Sequence, residues 1–314
     1  MRRRLPLGLL VAVALIVGAS AACSGDDKAS ACPKPTLTDG PHTLEVDGAE
    51  RTYHLNIPPR LTAPAPVVLS LHGLGGRAAA QEALTGMATA GVARGFIVVT
   101  PESNRPDRGW ALPGIDGGDA DVRFLGALLD AVEDGLCVDP DREYATGASN
   151  GAGLAVAAAC ALPGRLAGIA PVAGVSLQLP CADTDPLTLV AFHGTDDPVI
   201  PYAGGLPVLV GPAADSSELA EGLGDTQLAP VDQVVATWAD GFGCAPAVVD
   251  PPTMDVAHAT YAHCDGRVRV ELYTVAGGGH TWPGGLPMPN LGATTRSLSA
   301  TQLILDAFSR PTSR

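Results

Sequence analysis

A serine between small residues is the strongest chemical signal in the chain. Gly147-Ala148-Ser149-Asn150-Gly151 sits where a short apolar run, Tyr144 to Thr146, gives way to a helical pattern from Asn150 to Ala161. A sharp strand-to-helix turn lifts a serine hydroxyl above a sheet, and glycines two positions either side let strand and helix pass without collision. Ser149 is therefore the candidate nucleophile. A serine hydroxyl is a poor nucleophile at neutral pH and needs a base, itself oriented by a carboxylate, in the chain order Ser, Asp, His.

That order prunes the partners. His42, His54 and His72 precede Ser149, whereas His193, His258, His263 and His280 follow it. His280 comes after Gly277-Gly278-Gly279 and just beyond a strand pattern, Val268 to Tyr273, so it is expected on a flexible loop at the strand's carboxyl end. His258 and His263 fall before that strand and read as structural or surface groups. For the carboxylate, Phe192-His193-Gly194-Thr195-Asp196-Asp197-Pro198 ends another buried run. Asp197 is chosen over Asp196 because Pro198 fixes the backbone immediately after it; His193 reads as support for this loop. The developing oxyanion needs preorganised donors, and backbone amides supply them. The amides of Asn150, at a helix N-terminus, and of Leu74, in His72-Gly73-Leu74-Gly75-Gly76, are the candidates. With no GK[ST] or GxGxxG, the glycine loop does not read as a phosphate cradle. Trp110 and Trp282 fall in loops near this site and are candidate substrate walls.

These residues need a scaffold that brings distant loops to one edge. Thr43 to Val46 and Arg51 to Ile57 alternate apolar and polar around Asp47-Gly48, the pattern of an edge hairpin. Val67 to Leu71 and Phe96 to Thr100 are continuous apolar runs of strands buried on both faces, with a helix predicted over Ala78 to Ala93. The alternation continues through a helix at Asp121 to Val132, the strand and helix around Ser149, strands at Leu166 to Val172 and Leu187 to Phe192, and a helix at Val231 to Ala239. The strand at Val268 to Tyr273 and a helix at Ser299 to Phe308 complete it. The expectation is a doubly wound, mostly parallel α/β sheet with helices on both faces. Tyr202 to Pro230, rich in Gly, Pro and Ala, is a loop over a cleft or a surface excursion.

Four stretches together resemble one family: Ser-Leu-His-Gly-Leu-Gly-Gly at 70 to 76, Tyr-Ala-Thr-Gly-Ala-Ser-Asn-Gly-Ala-Gly at 144 to 153, Phe-His-Gly-Thr-Asp-Asp-Pro at 192 to 198 and Gly-Gly-Gly-His-Thr-Trp-Pro-Gly-Gly at 277 to 285. They are similar to the secreted poly(3-hydroxybutyrate) depolymerase and feruloyl esterase family of α/β-hydrolases, including its LpqC-like lipoproteins. The resemblance runs from about Thr43 to Phe308. It implies hydrolysis of carboxylic esters through an acyl-serine, with Ser149, Asp197 and His280 in the three roles and no metal or organic cofactor. In the family's His-Gly-x-x-Asp pattern the acid is Asp197. Polyhydroxyalkanoate-type oligoesters, feruloyl esters and short-chain esters are the substrate classes, polymeric or not. A catalytically silent hydrolase fold acting as a surface binding protein is the rival of a different class, and an acyltransferase or peptidase uses the same constellation.

Composition sets the compartment. The chain has 314 residues, 46% apolar and 17% charged, enough to fill a core. Its net charge of -14 repels phosphate backbones and anionic lipid heads, which excludes nucleic acid as a natural partner. Arg2 to Arg4, the apolar run Leu5 to Val17 and the small residues to Ala22 read as a removable secretory signal, residues 1–22. Cys23 then resembles a lipobox cysteine, acylated to anchor a cell-surface lipoprotein, with ordinary cleavage after Ala21 as the alternative. Removing the three leader arginines leaves 16 basic against 33 acidic residues, a net -17. Residues 23–41 read as a tether and 42–310 as the catalytic domain. Contact with a membrane is expected only through that N-terminal lipid. Cys32, Cys137, Cys160, Cys181, Cys244 and Cys264 form an even six, the pattern of three disulfides in an exported protein. Sequence permits 15 pairings; the short segment favours Cys244 with Cys264, then Cys160 with Cys181, leaving Cys32 with Cys137. No Cys/His cluster has zinc spacing. Mass spectrometry of the mature protein is expected to find a diacylglyceryl group on Cys23; an unmodified N-terminus at Ala22 contradicts it.

Overall fold

The structure, a computed structural model, describes residue 32 and residues 34–115, 117–181, 184–209 and 218–310. The predicted signal segment, Cys23 and most of the tether lie outside the described residues.

The central strands are buried from end to end. In β3 (Ala65–Leu71), Val67, Leu69 and Leu71 belong to one apolar core and Val68 to a second, so the period of two sends side chains into both. The same split holds in β4 (Ile97–Pro101), with Ile97 and Val99 against Val98, and in β7 (Thr188–Gly194), with Leu189 and Ala191 against Val190 and Phe192. Such strands need a helical layer on each side.

The remaining strands are β1 (Gly40–Val46), β2 (Ala49–Asn56), β5 (Val138–Ala148), β6 (Gly168–Val172), β8 (Val248–Thr253), β9 (Val256–Tyr261) and β10 (Val270–Val275). They form one sheet in the order β1-β2-β4-β3-β5-β6-β7-β10-β9-β8. The run from β4 to β10 is parallel; the hairpins β1–β2 and β8–β9 close its edges in antiparallel pairing. The first hairpin turns at Asp47-Gly48, both at positive φ, as the sequence predicts. The second is not apparent in the sequence: β8 carries Asp250, Pro251 and Pro252, which no central strand tolerates and an edge strand does.

On one face α3 (Ala120–Gly135), α4 (Asn150–Ala161) and α6 (Val231–Gly241) contribute Leu125, Leu154 and Trp238 to the first core. On the other, α2 (Met87–Ala93) and α7 (Ala300–Phe308) contribute Met87, Ile304 and Phe308 to the second. The ring of Phe308 stacks on Tyr144 of β5 at 4.2 Å between centroids, a contact worth about 0.5–1.5 kcal/mol beyond the area it buries. The helix predicted over Ala78 to Ala93 is two: α1 (Ala78–Thr85) stops where Gly86 turns left-handed at φ 65°. Glu218–Leu223 adds a short α5 inside the stretch expected as a loop.

Disulfides join Cys32 to Cys137, Cys160 to Cys181 and Cys244 to Cys264, the pairing that the spacing favours. The first fixes Cys32, midway along the stretch read as a tether, to the chain just after α3. Among the described residues, no helix is long and apolar enough to cross a membrane.

Candidate active site

Ser149 stands on the turn between β5 and α4 with φ 55° and ψ -122°, a conformation that costs an L-residue about 1–3 kcal/mol and persists only when its surroundings impose it. They do. The Ser149 amide donates to the Val172 carbonyl of β6 at 2.9 Å, and its own carbonyl accepts from Ala152 and Gly153 at 2.9 and 3.1 Å. A Cβ on Gly147 would lie 2.5 Å from the Gly151 oxygen, and one on Gly151 would lie 2.4 Å from the His72 oxygen. The elbow is thus packed backbone to backbone against the end of β3.

The carboxylate and the imidazole meet beyond the carboxyl ends of the neighbouring strands β7 and β10. Asp197 Oδ2 accepts from His280 Nδ1 at 2.8 Å, and Asp197 Oδ1 accepts the amides of Val199 and Ile200, each at 2.8 Å. His193 Nε2 donates to the Ile200 carbonyl at 2.8 Å and lies 3.2 Å from Asp197 Oδ2. Burial opposes ionisation of Asp197, but the donations from His193 and His280 outweigh it and hold the carboxyl well below the usual carboxylate range. With Nδ1 donating, Nε2 of His280 is left as the acceptor. Asp196 is exposed, and among the described residues its side chain accepts only from its neighbour Thr195.

The loop carrying His280, expected as a flexible loop, makes close backbone contacts. Gly277 turns at φ 70°, whereas Gly278 and Gly279 are there for space: a Cβ on Gly278 would lie 2.7 Å from Val275 Cγ1, and one on Gly279 would lie 2.2 Å from the Leu291 oxygen. The His280 amide donates to Leu291 at 2.7 Å, and Gly279 donates to Ala293 at 2.9 Å.

The glycine loop after β3 is organised by His72 and Trp110. His72 Nδ1 donates to the Gly73 carbonyl at 2.8 Å, and Nε2 accepts the Ser103 amide at 3.3 Å, which assigns the tautomer. Burial lowers the pKa of His72, so its imidazole is neutral. Trp110, expected as a substrate wall, is fully buried and does not line the pocket. Its indole N–H donates to the His72 carbonyl at 2.7 Å, and its ring lies 4.6 Å from the His72 ring. Its amide and carbonyl hold the Asn150 side chain at 2.5 and 3.1 Å. The reason is a packing demand that local sequence does not show: the indole fills the space beneath the loop. Among the described residues, the backbone amides of Leu74 and Asn150 donate to no protein group.

Ser149, His280, Leu74 and Trp282 all line one pocket of about 470 Å³, within the usual range of a small-molecule site. Trp282 contributes a wall, fixed by its indole N–H on Thr301 Oγ1 at 3.0 Å, while Thr301 donates to the Thr85 carbonyl at 2.6 Å. The sequence reading missed the apolar contributors Leu84, Leu209, Leu286 and Met288. Leu209 comes from the stretch that read as a cleft loop or an excursion; residues 210–217 lie outside the described residues. His258 is not recruited: it bridges Asp250 and Glu271 at 3.2 and 3.1 Å and stacks on Tyr273. Among the described residues, no group of three or more His, Cys, Asp or Glu side chains is arranged to hold a metal ion.

No family model matches the chain. It is 31% identical to a protein named as an esterase, NocK of Nocardia uniformis subsp. tsuyamanensis, over 94% of this chain and 96% of that one. It is 30% identical to feruloyl esterase C of Emericella nidulans, over 63% of this chain and 72% of the relative. It is 30% identical to poly(3-hydroxyalkanoate) depolymerase C of Paucimonas lemoignei, over 73% of this chain and 58% of the relative. The structure of an acetyl xylan esterase from Aspergillus awamori superposes with a TM-score of 0.56 at 14% identity, over 80% of this chain and 96% of that one. That likeness shows a shared fold, the α/β-hydrolase fold.

The lowered pKa of His72 has a consequence for stability. The unfolded chain takes up a proton at the ordinary histidine value of 6.5, and the folded chain does so only at lower pH. Stability is therefore complete above that value and is lost as pH falls toward the folded one. Thermal denaturation between about pH 7 and about pH 5 is expected to show a falling midpoint. The decline should be shallower in His72→Asn, which keeps a donor but does not titrate; equal slopes contradict the assignment.

Proposed function

The chain belongs to the α/β-hydrolase family of feruloyl esterases and poly(3-hydroxyalkanoate) depolymerases, and on that premise we propose that it is an exported serine carboxylic-ester hydrolase. The observation that carries the reading is the 2.8 Å contact of His280 Nδ1 with buried Asp197, on the wall of the pocket into which the Ser149 turn opens.

In the proposed cycle His280 Nε2 takes the proton from Ser149 Oγ as that oxygen attacks the ester carbonyl. Asp197 holds the imidazole in its Nδ1–H tautomer and stabilises the imidazolium that forms. The amides of Leu74 and Asn150 take the oxyanion; removing one such donor typically costs about 3 kcal/mol of barrier. His280 then returns the proton to the departing alcohol, leaving an acyl-serine. Water, deprotonated by the same nitrogen, attacks that ester, and the carboxylic acid leaves with Ser149 restored. No metal or organic cofactor enters this cycle.

Apolar walls and a volume of about 470 Å³ suit short-chain and feruloyl acyl groups or units of a polyhydroxyalkanoate-type oligoester. Three disulfides support folding in an oxidising compartment, and an anchor through Cys23 would keep the enzyme at the cell surface.

Ser149→Ala is expected to lower turnover of p-nitrophenyl butyrate by at least about a thousandfold while far-UV and near-UV circular dichroism stay those of the wild type. Residual turnover within about tenfold of the wild type removes Ser149 from the mechanism.

A further inference from the structure

Among the described residues that line the pocket, Arg77 is the one fixed positive charge, and none is Asp or Glu. This is unexpected in a chain with 33 acidic and 19 basic residues. Arg77 is exposed, and it forms no ion pair or side-chain hydrogen bond with any described residue. The nearby Glu102 is turned to other groups: its Oε1 accepts the Ala78 amide at 3.0 Å and its Oε2 faces His72 at 3.9 Å. The backbone of Arg77 is held in place at the same time. It is extended, at φ -148° and ψ 156°, its carbonyl accepts the Gln81 amide at 2.9 Å, and the preceding Gly76 donates to Gly73 at 2.9 Å.

Arg77 stands three residues beyond Leu74, so the two Cα atoms are no more than about 11 Å apart. A guanidinium fixed at its base, free at its tip and bordering apolar walls is suited to a planar anion carried by an otherwise apolar molecule.

We propose that Arg77 is a specificity-determining residue that selects esters bearing a free carboxylate. Such esters include a soluble oligoester with an acid terminus and the half-ester of a dicarboxylic acid. The inference rests on the esterase reading above and narrows its substrate class. It favours attack near a chain end over attack within a solid polymer, because only an end presents the charge. The carboxylate contributes binding that is equal in ground and transition states, so it acts on KM. In an acidic protein it also reverses the long-range repulsion that an anionic substrate meets elsewhere on the surface.

The test measures kcat and KM for two matched pairs. One is the linear dimer of 3-hydroxybutyrate as free acid and as methyl ester, with the charge on the alcohol side. The other is 4-nitrophenyl hydrogen adipate against 4-nitrophenyl hexanoate, with the charge on the acyl side. The wild type is expected to favour the charged member of at least one pair by about tenfold in kcat/KM, through KM. Added salt should erode that preference. Arg77→Gln should bring the ratio near one, and Arg77→Lys should restore part of it. An unchanged ratio in Arg77→Gln, equal losses on both members, or a wild type with no preference overturns the proposal and leaves the esterase reading standing. Failure of the wild type to hydrolyse any of the four esters overturns both.

Discussion

A single buried carboxylate holds the site together. Asp197 is almost without access to water, yet it is ionised, because two backbone amides and two imidazoles replace the water it loses. Removing any one donor leaves a buried charge short of a partner, a loss of about 1–3 kcal/mol or more. Three of these contacts hold the carboxylate, and the fourth orients His280. Its tautomer and the acceptor left on its outer nitrogen follow from where Asp197 sits.

Two backbone contacts keep that arrangement within tolerance. The β5 elbow touches the end of β3 at Gly147 and Gly151, where any side chain would collide with main-chain oxygen. The end of β7 touches the loop after β10 in the same manner, since a Cβ on Gly194 would lie 2.1 Å from the Gly278 oxygen. The parallel sheet brings all four carboxyl ends to one edge. Glycine then allows the loops to approach closely enough for hydrogen bonds between groups far apart in sequence.

Much of this is legible in the sequence, for physical reasons. Strands buried on both faces leave continuous apolar runs, so β3, β4 and β7 are plain in the sequence; the strand-to-helix turn is local, so Ser149 is too. Features set by distant partners are not. Nothing near Trp110 announces that its indole braces His72 and Asn150. The Gly277–Gly279 run reads as a flexible loop because sequence does not distinguish glycine needed for freedom from glycine needed for space. The β8–β9 hairpin leaves no strand signal because an edge strand can carry Asp250 and two prolines. The stretch from Ala78 to Ala93 read as one helix because a single Gly86 does not interrupt the apolar pattern.

Reaction with a fluorophosphonate probe, read by intact mass and peptide mapping, tests the central claim most directly. One adduct per chain, located on Ser149 and strongly slowed in both Asp197→Asn and His280→Gln, is the expected result. No adduct, or one that forms at the wild-type rate in those two variants, would show that the buried carboxylate and its imidazole do not activate this serine.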